Sequence, residues 1–162
     1  MRHRQKQQTN IEENRMNEIK MKILIAVDDT DESIDAVNTA YDLFGAAPDY
    51  LVTNIGRMPA AVYPMTPGGG MPMYVPLGPT ASRVKKIATA TAVQAAANLE
   101  VDAAIEVDTG PAGEAVCRIA EESRASVIVI GSHDRSIWAR LFEPSVGKYV
   151  VANAPCPVLV VR

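Results

Sequence analysis

The sequence predicts an α/β domain built on a parallel sheet, and three observations lead there. Short apolar runs rich in β-branched residues, KILIAV at 22–27, VIVI at 127–130 and PVLVV at 157–161, have the pattern of strands buried on both faces. Stretches with helical periodicity separate the strand-like runs. The resulting order is βαβ, a long loop, αβαβ, a second loop, then αβ, and alternation of this kind implies parallel strands joined by crossover helices.

Taken in order, residues 22–27 form the first strand. DDTDES follows, with Thr30 and Asp31 as candidate N-caps. Ile34, Val37, Tyr41 and Phe44 then fall on one helical face, and Gly45 stops the helix. Residues 51–55 read as the second strand. Residues 82–99 are Ala-rich and helical, with Val84, Ile87, Ala88, Ala92, Ala95 and Leu99 on one face, where small side chains let a helix lie close to a sheet. Residues 103–107 are the third strand. DTGPAGEA then turns into a helix with Pro111 near its first position and Val116, Ile119 and Ala120 as its buried stripe. Residues 127–130 are the fourth strand, 146–153 a helix and 157–161 the fifth strand.

The 162 residues suffice for one domain with a real core, and 48% apolar against 22% charged is an ordinary globular balance. A net charge of −3 argues against nucleic acid or an anionic membrane as partner. No apolar run approaches the roughly 18 residues that a bilayer span requires. The start lacks the apolar core of a signal peptide. Cys117 and Cys156 show no metal-ligand spacing, and a reducing cytoplasmic location fits two such cysteines better than a disulfide framework does. Residues 1–20 hold five Lys/Arg, three Asp/Glu and only sparse apolar side chains, so they are expected to be a disordered polar extension ahead of a domain at 21–162. Residues 56–80 hold six of the 11 prolines and four of the seven methionines. Such a segment forms no regular element. It reads either as a mobile surface loop or, through its Met and Tyr side chains, as a contact surface for a protein partner.

Candidate chemistry is sparse. Asp28, Asp29, Asp31 and Glu32 cluster where a helix N-terminus favours negative charge, which is the reading preferred over metal binding. Ser132, His133 and Asp134 are adjacent in sequence, and neighbours rarely point at one another as nucleophile, base and orienter must. Cys117 is expected to be a buried small side chain, and Cys156, between Pro155 and Pro157, to sit in a fixed turn into the last strand. Trp138 reads equally as a loop anchor or as an exposed partner contact.

ILIAVDDTDESIDAVNTA, GSHDRSIWARLFEPSV and APCPVLVVR together resemble the universal stress protein family, in order over residues 22–162 apart from the Pro/Met/Gly loop. The resemblance implies a single-domain, open five-stranded parallel sheet in the order 3-2-1-4-5. Helices would cover both faces, in the Rossmann-like (adenine nucleotide alpha hydrolase-like) manner. That order puts a topological switch between strands 1 and 4, where open α/β sheets take their ligands. If nucleotide is held, the resemblance implies Asp28, Ile55, Gly131, Ser132, Arg135, Ser145 and Val146 as the residues around it. It implies no catalytic residue and no metal ligand, although slow ATP hydrolysis is not excluded.

Nucleotide-binding members of the family resemble one another through Gly-x-x-Gly, nine residues, then Gly-Ser/Thr. Gly131 and Ser145 match that frame, whereas Asp134 and Pro144 replace its second and third glycines. Asp134 adds bulk and repels an anion by about 3 kcal/mol at ~5 Å and an effective dielectric near ~20. Pro144 removes an N–H, and a charge-assisted hydrogen bond is worth roughly 1.5–3 kcal/mol. Arg135, Arg140 and His133 offer partial compensation, and Asp134 could pair with Arg135 instead. The expectation is a stress-response regulatory or interaction module with impaired ATP binding, so that no cofactor is firmly implied and ATP or AMP binds at low affinity. The alternative is a sensor that holds ATP or AMP at the ends of strands 1 and 4. The resemblance also implies a homodimer. The strand PVLVV, with Pro157 first and Val161 last, is an apolar edge that invites pairing with its own copy, which proline at Leu159 or Val160 would weaken.

Overall fold

The computed structural model describes residues 20–57, 79–132 and 146–162. Along these residues run β1 (Lys22–Ala26), α1 (Asp31–Phe44), β2 (Asp49–Gly56), α2 (Ala81–Ala96), β3 (Ala103–Thr109), α3 (Ala112–Ser123), β4 (Val127–Gly131), α4 (Val146–Asn153) and β5 (Val158–Val161). The five strands form one sheet in the order β3-β2-β1-β4-β5, every pair parallel. Central β1 sets the register, with Ile25 opposite both Val52 and Val129.

Alternation along β1 builds two cores, one on each face of the sheet. Ile23, Ile25 and Val27 pack with Ala36, Val37 and Ala40 of α1 and Ala92 and Ala95 of α2. Leu24 packs on the opposite face with Val116, Ile119 and Ala120 of α3 and Val150 of α4. Ile23, Leu24 and Ile25 are fully buried, each contributing about 1.5–3 kcal/mol by leaving water.

The expected elements are present, with local corrections. β2 and β3 are longer than 51–55 and 103–107, because seven residue pairs, from Tyr50↔Ala103 to Gly56↔Thr109, extend their ladder. Gly56, expected to open the long loop, therefore closes β2, while 58–78 lies outside the described residues. α2 ends at Ala96 rather than at 99, and β5 begins at Val158 rather than at 157. Two predicted core positions face outward. α1 buries Ser33, Ala36, Val37 and Ala40, leaving Ile34 exposed. α2 buries Val84, Ala88, Ala92 and Ala95, leaving Ile87 56% exposed. In both helices the sheet selects the stripe of small residues, because it lets the helix axis come closest, and bulkier neighbours rotate out. Pro111 is the N-cap of α3, next to its first helical position, and Cys117 is half-buried rather than buried.

The candidate site at the carboxyl ends of β1 and β4

β1 does not stop abruptly. The Val27 N–H donates to the Thr53 carbonyl at 2.9 Å, and the Asn54 side-chain amide donates to the Val27 carbonyl at 2.8 Å. These two bonds carry the chain out of the sheet with its direction fixed. Asp28 follows, half-buried, beside the switch between β1 and β4, the crevice in which open α/β sheets take their ligands. Its N–H donates to Ser33 Oγ at 2.8 Å, and the Ser33 hydroxyl donates to Asp28 Oδ1 at 2.7 Å. The Thr30 hydroxyl donates to the same carboxylate oxygen. Ser33 is thus spent on both the backbone and the side chain of Asp28, and it is buried beneath the first turn of α1.

Of the two candidate N-caps, this arrangement selects Thr30 over Asp31 but without a side-chain cap. Thr30 is the N-cap of α1 in extended conformation, but its hydroxyl makes no capping bond and turns to Asp28 instead. Asp31 is the first residue of the helix, and with Glu32 it places two carboxylates in the first turn. They complement the positive end of the helix dipole from within the chain.

At the end of β4, Gly131 sits under α1. A Cβ there would lie 2.4 Å from the Glu32 carbonyl oxygen and 2.7 Å from its carbon. The absence of a side chain lets the first turn of α1 rest on β4, which gives Gly131 a packing role independent of any ligand. Ser132 continues inward. Its N–H donates to the Val161 carbonyl at 2.9 Å, and its hydroxyl is buried with no hydrogen-bond partner among the described residues.

The fold therefore gathers Asp28, Gly131 and Ser132 around the start of α1. Ile55, near the carboxyl end of β2, and Val146, the first residue of α4, pack against the α3/α4 core. Arg135 and Ser145 lie outside the described residues, as do His133, Asp134, Trp138, Arg140 and Pro144. Thr30, Ser33 and Asn54 were not singled out from the sequence as site residues. Ser33 carried one usable signal, being a hydroxyl inside the buried stripe of α1. Among the described residues, no three His, Cys, Asp or Glu side chains are placed to hold a metal. No described helix is long and apolar enough to cross a membrane.

No curated protein sequence matches the chain. Among solved structures, a universal stress protein family member from Burkholderia pseudomallei is 24% identical, with a TM-score of 0.61 over 86% of this chain and 94% of its own. A universal stress protein in complex with cAMP is 20% identical, with a TM-score of 0.55 over 88% of this chain and 97% of its own. A universal stress protein family protein from Arabidopsis thaliana with AMP bound is 14% identical, with a TM-score of 0.55 over 87% of this chain and 90% of its own. These likenesses concern the fold. Residues 21–162 match the universal stress protein family itself, and the chain belongs to that family.

Proposed function

We propose that the protein is a cytoplasmic, homodimeric stress-response module that works by interaction rather than catalysis and binds ATP only weakly. The observation that carries this is the state of Asp28. Its carboxylate is already tethered by two hydroxyls, that of Thr30 in its own loop and that of Ser33 in α1, and Asp31 and Glu32 stand in the first turn of α1. An incoming polyphosphate would meet carboxylates at a helix end that otherwise attracts anions. Asp134 and Pro144 add a further charge and a missing donor by their chemistry alone. Calorimetric titration with ATP at moderate salt is expected to give a dissociation constant well above the micromolar range, and an Asp134→Gly, Pro144→Gly double variant to bind more tightly. Low-micromolar affinity in the unmodified chain would overturn the proposal.

One observation favours the alternative, a sensor holding ATP or AMP. The Ser132 hydroxyl is buried and unpartnered at the end of β4, beside the crevice. Relatives of this fold were solved with cAMP and with AMP. A monophosphate carries less charge than ATP past Asp28, so AMP is the ligand that this second reading prefers. The same calorimeter run with AMP separates the two.

A further inference from the structure

Cys117 and Cys156 are both free, both half-buried, and both packed against the α3/α4 core. They are 39 positions apart in sequence, yet the packing of α3 on α4 brings their neighbourhoods together. The contact is close. A Cβ on Gly113 of α3 would lie 2.8–2.9 Å from the Tyr149 ring and Cβ in α4. Cys117 is one helical turn beyond Gly113 and so lies on the same face of α3. Both helices are crossovers between parallel strands and run the same way, so that one turn on from the Gly113–Tyr149 contact Cys117 is directed toward the last turn of α4. The chain leaves that turn through Ala154, whose N–H bonds to Val150, and reaches Cys156 within two residues. Burial pushes both thiols above the usual cysteine range; charge on Cys117 raises Cys156 further, and the Ile128 backbone N–H opposes that rise.

We propose that Cys117 and Cys156 are a redox-responsive dithiol that a low-molecular-weight disulfide such as oxidised glutathione closes to an intrachain bond, tying α3 to the turn from α4 into β5. One thiolate attacks a sulfur of the small disulfide, forming a mixed disulfide and releasing one thiolate. The second cysteine then attacks the protein sulfur of that mixed disulfide, releasing the second small thiolate. The two protons lost by the cysteines go to the two leaving thiolates, and two electrons pass from the protein pair to the oxidant. Because the thiolate is the attacking species and both thiols sit high, closure speeds up as pH rises. The bond would join the open sheet edge to the body of the domain, independently of nucleotide.

The test incubates the full chain with oxidised glutathione at about pH 9, where raised thiols still ionise appreciably, in parallel with urea-unfolded chain. The native chain is expected to lose both titratable thiols, with an intact mass lower by one H2 and a peptide linking Cys117 to Cys156. The Cys117→Ser and Cys156→Ser variants are each expected to stop at one glutathione adduct. Unfolded chain should instead accumulate double adducts. Native chain that carries two glutathiones, forms only interchain disulfides, or keeps both thiols would overturn the proposal.

Discussion

Thr53 Oγ1 is fully buried and has no hydrogen-bond partner among the described residues. Alternation along β2 puts Thr53 on the α3/α4 side with Leu51 and Ile55, opposite Ala26 of β1, where the surroundings are apolar. A buried hydroxyl without a partner costs about 1–3 kcal/mol of lost hydration. Thr53→Val removes that cost at nearly constant volume. It is expected to stabilise the domain by about 1 kcal/mol, a rise of roughly 3 °C in Tm for a domain of this size. A lower Tm in calorimetry would show that the hydroxyl is paired in solution. Ser132 shares the burial and the missing partner, but it stands at the crevice. The contrast between the two hydroxyls is one of position: Thr53 is enclosed within the sheet, whereas Ser132 borders the place where a ligand would lie.

At the scale of elements, the start of α1 and the end of β4 form one unit. The Gly131 contact closes it from below, and the bonds from Ser33 and Thr30 to Asp28 close it from above. An added methyl at 131 meets backbone rather than a flexible side-chain end, so α1 itself must lift. Overpacking of this kind costs typically 1–3 kcal/mol. Gly131→Ala is expected to destabilise the domain by about 3 kcal/mol in urea titration and to expose the Asp28 loop to hydrogen exchange. A change below about 0.5 kcal/mol, the usual range for surface substitutions, would mean that α1 does not rest there in solution.

At the scale of the whole molecule, the sheet ends in two edge strands, β3 and β5, that differ in chemistry. β3 carries Glu106 and Asp108, and Asp108 is ion-paired to Arg118 of α3, so that edge is blunted by charge. β5 is VLVV and carries no charge. The carbonyls of Pro157 and Val161 accept from Ile128 of β4 and from Ser132 just beyond it. Strand alternation therefore turns residues 157, 159 and 161 toward β4 and leaves the backbone of Val158 and Val160 facing outward. This separates two substitutions that the sequence treats alike. Proline at Leu159 would break the internal ladder, whereas Val160→Pro removes an outward donor. If two copies pair through β5, Val160→Pro is expected to shift sedimentation from dimer to monomer with the fold intact. A monomer in the unmodified protein at micromolar concentration would refute the pairing.

The sequence by itself determined the α/β class, the order of elements along the chain, and, through the three quoted motifs, the family and the strand order. Those properties are legible because a strand buried on both faces must be apolar along its length, and because crossover helices must alternate with such strands. Which face of each helix is buried was legible only in part. Val84, Ala88, Val116 and Ile119 were placed correctly, but Ile34 and Ile87 lost to smaller neighbours, because closeness of approach rather than hydrophobicity alone decides the contact. At the candidate site, Asp28, Gly131 and Ser132 could be named from motif position. Only the tertiary structure showed that Thr30 and Ser33 hold Asp28 and that Gly131 is required by α1. These bonds and contacts join residues from different turns and strands, and their partners are chosen by how the elements pack rather than by any local pattern in the chain.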